Sequence, residues 1–232
     1  ALMTMDGFTG APAITVENGD AARFWADLGE VWTIEQNYIK PYPICRWAHA
    51  ALDALSGLMR AHGFHADDVA NINVNTFAES AALFPGMPAT TSQAQYSLPF
   101  ALATMLVHGR IGPDEITGAG LSDPQVAALL PRISVHEAVR HSERFPEGRW
   151  SDVTVELKDG RRLASGDVNA RGGSEAPMDM HEVEAKFHIM ASALPEPRRR
   201  AIWEMREQLM QPEAKFEELA RLVRAPMEEP HV

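Results

Sequence analysis

Residues 153–168 read VTVELKDGRRLASGDV, and this stretch decides the fold class. From Val153 to Leu157 apolar and polar residues alternate at a period of two, which is the pattern of a strand with one buried face. Asp159-Gly160 follows, and apolar residues resume at Leu163. An Asp-Gly pair between two such runs predicts a β-hairpin that is closed by a type I′ turn.

A second strand is predicted over 69–75, where apolar residues again alternate with small or polar ones. Apolar residues at helical spacing, together with capping residues, predict helices over 46–61, 94–107, 124–130, 180–192, 198–210 and 213–223. A short strand is predicted at 133–135. Nearer the start, the sequence predicts a helix over 21–28 capped by Asp20 and a short strand over 30–34. Strands in the middle and helices at both ends indicate an α+β fold with an antiparallel sheet.

The charge balance limits the classes of partner. The 21 basic and 32 acidic residues leave a net charge of −11, and nucleic-acid binding depends on basic residues that neutralise phosphates. We therefore expect no nucleic-acid partner. The densest apolar run, 98–107, is about half of what a bilayer span needs, so we also expect no membrane segment.

A single cysteine, Cys45, excludes an intramolecular disulfide and is typical of a reducing compartment, so we expect a cytoplasmic protein. No signal peptide is visible at the start of the sequence. Because the sequence begins at Ala1 rather than Met, with residues that resemble the end of a helix, we expect it to be the C-terminal portion of a longer protein.

The clearest candidate for chemistry is the cationic segment, residues 40–49, which reads KPYPICRWAH. It brings together Lys40, Arg46 and His49 without an acidic residue, and its two prolines stiffen the loop before a helix. Such a group suits a carboxylate ligand. The alternative is that Lys40 and Arg46 pair with Glu30 or Glu35 and that His49 packs beside Asp53. Cys45 is expected to be a small buried residue rather than a nucleophile.

A second candidate is the polar run over 90–97, TTSQAQYS, at the start of a predicted helix. Gln95, Tyr96 and Ser97 could hold a polar ligand through amide and hydroxyl groups, while the simpler reading is a helix cap. The remaining histidines show no metal-binding spacing, and the glycine pairs match no phosphate-binding pattern. We predict no metal and no nucleotide cofactor.

These segments resemble one family. The Lys40-Pro-Tyr-Pro motif with Cys45, Arg46 and His49, the run from Ala94 to Phe100, the Asp159-Gly160 hairpin and Ala185-Lys186-Phe187 occur in the order seen in the C-terminal half of the MmgE/PrpD family. That family includes 2-methylcitrate dehydratase, cis-aconitate decarboxylase and iminodisuccinate epimerase. Some members have a histidine at the position of Cys45, and decarboxylases have a tyrosine at that of Phe100, which argues against decarboxylation.

The resemblance implies a domain organisation and a chemistry. Residues 1–35 would end an N-terminal all-helical domain, 36–172 would form an α+β lid, and 173–232 would return to the helical domain, in a homodimer. It implies cofactor-independent action on a small polycarboxylate, with the helical domain supplied upstream. Lys40 matches a functional lysine of the family and would bind a carboxylate; His49, or a residue outside this chain, would exchange the proton.

Three hypotheses about function remain open at this point. The first is part of a lyase or isomerase that abstracts a proton next to a carboxylate, with Lys40 and His49 as catalytic residues and Lys40, Arg46, Gln95, Tyr96 and Ser97 as substrate-binding residues. The second is a catalytically incomplete binding or assembly module with the same lid fold. The third is a helical adaptor that uses the charged C-terminal helices.

Overall fold

The structure is a computed structural model that describes residues 26–32, 34 and 37–226. It divides into a unit up to Tyr38 and a second unit from Ile39 onward. The Asp20 cap and most of the helix predicted over 21–28 lie outside the described residues. The strand predicted over 30–34 is not found at the described positions of that range, because a turn at Gly29 (φ 91°) lets Glu30 N donate to Asp27 O at 2.9 Å.

The second unit alternates helices and strands. Its α-helices are α1 (His49–His62), α2 (Ala78–Ala81), α3 (Thr91–Gln95), α4 (Leu98–His108), α5 (Pro124–Leu129), α6 (Val139–Ser142), α7 (Met180–Met190), α8 (Glu196–Gln208) and α9 (Phe216–Arg224). Its strands are β1 (Val69–Thr76), β2 (Ile133–Glu137), β3 (Trp150–Leu157), β4 (Arg162–Ala164) and β5 (Val168–Asn169). The predicted α+β class is confirmed.

The sheet has the order β2-β1-β3-β4, and β5 pairs with the other end of β3. β3 is buried at every second residue, as its alternation predicts, and Val153 and Val155 lie opposite Val74 and Ile72 of β1. α1 packs on β3 and α4. The apolar face of the sheet is therefore covered by helices, and this layer forms the core.

One pair of strands differs from the predicted antiparallel sheet, because β1 and β2 run parallel. The 56 residues from 77 to 132 that connect them contain α2 to α5. A connection of that length can bring the chain back to the starting end of the sheet, whereas a tight turn reverses it. The sheet is therefore mixed, and the antiparallel pairs are β1 with β3, β3 with β4 and β3 with β5.

The hairpin predicted at Asp159-Gly160 is confirmed, but its turn is not type I′. A type I′ turn needs positive φ at both central residues. Gly160 has φ 91°, whereas no described residue other than glycine has a positive φ. Gly160 N donates to Leu157 O at 3.0 Å, so Lys158 and Asp159 are the central residues and glycine follows them in the left-handed region.

The helix predicted over 94–107 is two helices, α3 and α4. Pro99 is the physical reason, since its ring would clash with the carbonyl of residue 95 in a continuous helix. Ser97 caps α4 by accepting a hydrogen bond from Phe100 N at 3.3 Å. As its nearly all-round apolar character predicts, α4 is buried without a break from Leu98 to Leu106.

The C-terminal helices follow the predicted order. Asp179 caps α7 by accepting from Glu182 N at 2.8 Å, and the Glu182 side chain accepts from Asp179 N. The domain boundary near residue 173 stays a prediction. Within the described residues, no helix has the length and apolar character needed to cross a membrane.

Candidate functional site

The Lys40 loop, residues 40–45, is held in place by α3. Cys45 N donates to the backbone oxygen of Gln95 at 2.8 Å, and the Gln95 side-chain amide donates to Pro43 O at 3.2 Å. The two prolines fix φ inside the loop. Gln95 thus holds the loop through both its backbone and its side chain. The polar run in the sequence does not reveal this role.

Two of the predicted site residues, Lys40 and His49, contact the same backbone carbonyl, that of Ile44. Lys40 Nζ donates to Ile44 O at 3.2 Å, and His49 Nε2 lies 3.3 Å from the same oxygen. Because a carbonyl only accepts, His49 donates from Nε2 in this contact. The loop therefore closes around the Ile44 carbonyl, with the exposed Lys40 side chain on its outer surface.

His49 is fully buried beneath the loop, with the Tyr42 ring edge-on at 5.2 Å. Burial lowers the pKa of His49 to about 3, against the opposing effect of the Ile44 hydrogen bond, and the charges of Lys40, Arg46 and Lys186 lower it further. The imidazole is neutral near pH 7. A general acid or base works best with a pKa near the working pH, so this environment favours a positioning role, and its catalytic role stays a prediction.

A chain of polar contacts below the loop was not singled out from the sequence. The Tyr42 hydroxyl donates to Asp53 Oδ1 at 2.8 Å, and Arg171 Nε donates to the same oxygen at 3.4 Å. Arg171 also forms an ion pair with Glu182 of α7. Burial raises the pKa of both Tyr42 and Asp53. Since these residues are far apart in sequence, no spacing signal could have joined them.

Arg46 lies beside the loop and is paired with an acidic residue. Its Nη2 lies 3.5 Å from Glu175 Oε1, and the Glu175 side chain is about half exposed (51%). Glu175 was not among the partners that the sequence suggested; of those, Glu35 lies outside the described residues. An exposed pair of this kind contributes about 0–1 kcal/mol and can be opened by a competing anion.

Lys186 is a further functional candidate, and in the sequence it stands out only as part of the Ala185-Lys186-Phe187 motif. It lies on α7, where burial lowers its pKa and the positive charge of Lys40 lowers it further. Glu182, one turn earlier on α7, pairs with Arg171, which also contacts Asp53 below the Lys40 loop. Ala185-Lys186-Phe187 was the available signal, but only the fold brings Lys186 to the loop.

The other predicted binding residues have local partners. Ser97 is buried, caps α4 and donates to Gly86 O at 3.4 Å. The backbone oxygen of Tyr96 accepts from Phe84 N at 2.8 Å, and its side chain is 53% exposed. The cap reading of this run is thus observed for Ser97, while ligand binding by Gln95, Tyr96 and Ser97 stays a prediction.

A second charged cluster lies around Asp152, near the start of β3. His141, Asp152 and Asp167 offer side-chain atoms within 4.8 Å of one another, a geometry that could hold a cation. Both carboxylates already pair with guanidinium groups, however, from Arg140 and Arg144. The cluster is therefore an ion-pair network with its charges balanced inside the protein.

The fold and the cationic surface define an α+β domain that presents lysine on a loop stiffened by prolines. The chain belongs to the MmgE/PrpD family, because residues 42–211 match the model of the MmgE/PrpD C-terminal domain. It is also similar to "2-methylcitrate dehydratase, mitochondrial" from Yarrowia lipolytica, with 28% identity over 113 residues. That match covers 46% of this chain and 22% of the relative.

Proposed function

We propose that this chain is the C-terminal part of a cofactor-independent lyase or isomerase, of the dehydratase or epimerase type, that acts on a small polycarboxylate by removing a proton next to a carboxylate. Membership of the MmgE/PrpD family and the similarity to a 2-methylcitrate dehydratase support this proposal. The name of the relative suggests small polycarboxylates as the substrates to test. The position of Lys40 in this chain is the reason to test them.

The observation that carries the proposal is the electrostatic position of Lys40. Its ammonium group donates to the Ile44 carbonyl, and among the described residues it pairs with no carboxylate. Lys158 and Lys215 likewise form no ion pair among the described residues, so Lys40 is distinguished by its position on a proline-stiffened loop beside Arg46 and not by the missing partner. Such a group is ready to bind an anion.

The chemistry follows from the position of this charge. When a base removes the proton next to a carboxylate, negative charge builds up on the carboxylate oxygens, and a fixed ammonium stabilises it. In a dehydratase the neighbouring C–O bond then breaks, and the hydroxyl takes a proton from a general acid and leaves as water, whereas in an epimerase a proton returns to the opposite face. In both reactions Lys40 would stabilise the negative charge on the carboxylate oxygens.

We propose that His49 supports this step from below the loop. Both its Nε2–H and Lys40 Nζ donate to the Ile44 carbonyl. The imidazole therefore holds the loop backbone that carries Lys40. The proton then passes to a residue outside this chain. If His49 itself exchanged the proton, its conservative replacement would abolish turnover at every pH.

The rest of the site is proposed to come from other parts of the assembly. We propose that a helical domain outside this chain covers the exposed Lys40 surface and excludes water, which strengthens the ammonium's effect. Arg46, Gln95, Tyr96 and Ser97 would complete the substrate contacts. A homodimer and a cytoplasmic location remain part of the proposal.

The test is Lys40→Gln in the full-length protein, assayed on methylcitrate, cis-aconitate and iminodisuccinate after dialysis against EDTA. We expect kcat to fall about 10²–10³-fold, the usual effect of removing one charge-stabilising group. Lys158→Gln, at an exposed lysine of the β3–β4 turn, should leave turnover unchanged. Unchanged turnover in Lys40→Gln would contradict the assignment.

The same assay separates the rival hypothesis of a binding or assembly module. That rival predicts carboxylate binding by the unaltered full-length protein without turnover of any of the three acids. The adaptor hypothesis predicts neither binding nor turnover. Loss of activity on dialysis against EDTA, restored by a divalent metal, would contradict the cofactor-independent part of the proposal.

A further inference from the structure

The first turn of α7 is fastened to the base of the Lys40 loop. Arg171 contacts Asp53 of α1 at 3.4 Å and also pairs with Glu182, while Asp53 holds the Tyr42 hydroxyl of the loop. Lys186 follows Glu182 by four residues, so the two side chains share one face of the helix. Arg171 therefore joins the helix that carries Lys186 to the α1 residue that holds the loop.

The charges on this surface are unevenly balanced. Among the described residues, Asp53 and Glu182 pair with Arg171, and Glu175 pairs with Arg46. Among the residues that the structure describes, neither Lys40 nor Lys186 forms an ion pair with a carboxylate. Lys158 and Lys215 form none either, so Lys40 and Lys186 are distinguished by their position on the two segments that Arg171 and Asp53 join, where the charge of Lys40 also lowers the pKa of Lys186.

An uncompensated pair of like charges is unfavourable to the folded protein by itself, and an anion between the two groups relieves the repulsion. Lysine has a compact charge on a flexible stem, so each ammonium can reach a separate carboxylate of one ligand. A monocarboxylate satisfies one ammonium and leaves the other exposed to repulsion. A ligand with two or more carboxylates satisfies both.

We infer that Lys186 is a second carboxylate-binding residue of the Lys40 site and that it selects short acids with two or more carboxylates over monocarboxylates. The inference rests on the proposed function, because Lys40 must bind the first carboxylate. It adds a residue from the C-terminal helices to the site and gives a physical reason for a polycarboxylate substrate.

The test is titration calorimetry of the full-length protein at low ionic strength with two probes, tricarballylate, which has three carboxylates, and butyrate, which has one. Lys186→Gln should weaken tricarballylate binding on the order of tenfold, the usual size of one ion pair lost from a partly buried site, and leave butyrate unchanged. Lys186→Arg should retain most of the tricarballylate affinity. Lys215→Gln, at an exposed lysine near α9, is the matched control and should bind like the wild type.

A second readout reports on contact rather than on folding. In the wild-type protein, tricarballylate should raise the pKa of Lys186, followed by NMR of its side chain, because an adjacent carboxylate favours the charged amine. Butyrate should raise it much less. Thermal unfolding of each variant shows whether it is folded before the affinities are compared.

The outcomes separate the two proposals. If Lys40→Gln loses affinity for both acids while Lys186→Gln loses none, the proposed function stands and the inference is wrong. An equal loss for tricarballylate and butyrate in Lys186→Gln also overturns it, since selectivity is then absent. If the wild-type protein binds neither acid, the proposed function fails and the inference fails with it.

Discussion

Two groups of charged side chains lie in the unit that begins at Ile39, and they differ in how their charges are balanced. Around β3, His141 lies 2.8 Å from Asp152 Oδ1, and both Asp152 and Asp167 pair with arginines. On the Lys40 surface, by contrast, neither Lys40 nor Lys186 forms an ion pair among the described residues, the charge of Lys40 lowers the pKa of Lys186, and Glu182 and Glu175 pair with Arg171 and Arg46.

This difference indicates which group of charges stabilises the fold and which is available to bind a ligand. A network in which each carboxylate is paired with a guanidinium group stabilises the protein and offers little to an outside ion, because a ligand would have to displace an existing partner. A surface with uncompensated like charge stabilises nothing until an anion arrives. Substitutions in the first group should therefore change stability, and those in the second should change binding.

The largest expected effect on stability is in the balanced group, with Asp152→Ala. This change removes a partner from fully buried His141, and it also removes the 2.9 Å contact with the Asn75 amide. Leaving buried polar groups unpaired should lower the free energy of unfolding by about 3 kcal/mol, measured by urea denaturation. Tricarballylate affinity should stay within twofold of the wild type.

Asp67→Ala, at an exposed acidic residue before β1, is the control and should change stability by less than about 0.5 kcal/mol. A loss of carboxylate binding in folded Asp152→Ala would show that the two groups are coupled, and the division into structural and binding clusters would then be wrong.

The next effect is a dependence of stability on pH, and it comes from His49, which is buried below the Lys40 loop. The unfolded histidine binds a proton near pH 6.5 and the folded one only near pH 3. Between these values the unfolded state holds more protons, so this group makes stability fall as the pH drops, by at most about 1.4 kcal/mol per unit. His49→Gln should flatten this part of the curve.

The measurement is urea unfolding from pH 7 to pH 4 for the wild type, His49→Gln and His62→Gln, the last at an exposed histidine in the final turn of α1. His62→Gln should keep the wild-type slope. If His49→Gln keeps that slope as well, the imidazole is not buried in its neutral form, and the support that we assign to it below the loop is wrong.

Much of the fold could be predicted because its signals are local. The alternation from Val153 to Leu157, the Asp159-Gly160 turn and the Asp179 cap each act within a few residues, and the corresponding elements are observed. Two local predictions failed, the type I′ turn at Asp159-Gly160 and the strand over 30–34, and two others failed because they depend on contacts between separate segments or turns. The direction of β2 depends on a 56-residue connection, and the break before α4 depends on how Pro99 meets a carbonyl four residues earlier.

The candidate site divides in the same way. Lys40, Arg46 and His49 lie within ten residues, so their grouping is visible in the sequence. Lys186 is far along the chain, and it joins them only because Arg171 fastens α7 to α1. No local pattern contains that contact. Likewise, the clamp that Gln95 places on the loop needs the turn between α3 and α4.

The smallest expected effect tests the unbalanced surface without any ligand. In the folded protein the pKa of Lys186 lies below the ordinary value of 10.5, so below that lowered pKa the folded state bears an unfavourable charge that the unfolded state does not feel. Lys186→Gln should therefore raise the free energy of unfolding at pH 7, by about 0.5 kcal/mol after solvent screening, and the gain should disappear as the pH rises toward 10.5. Tricarballylate should reverse the order, because it stabilises the wild type more than the variant. A variant that is less stable than the wild type without ligand would mean that Lys186 already has an acidic partner, and the contrast between the two groups would then be lost.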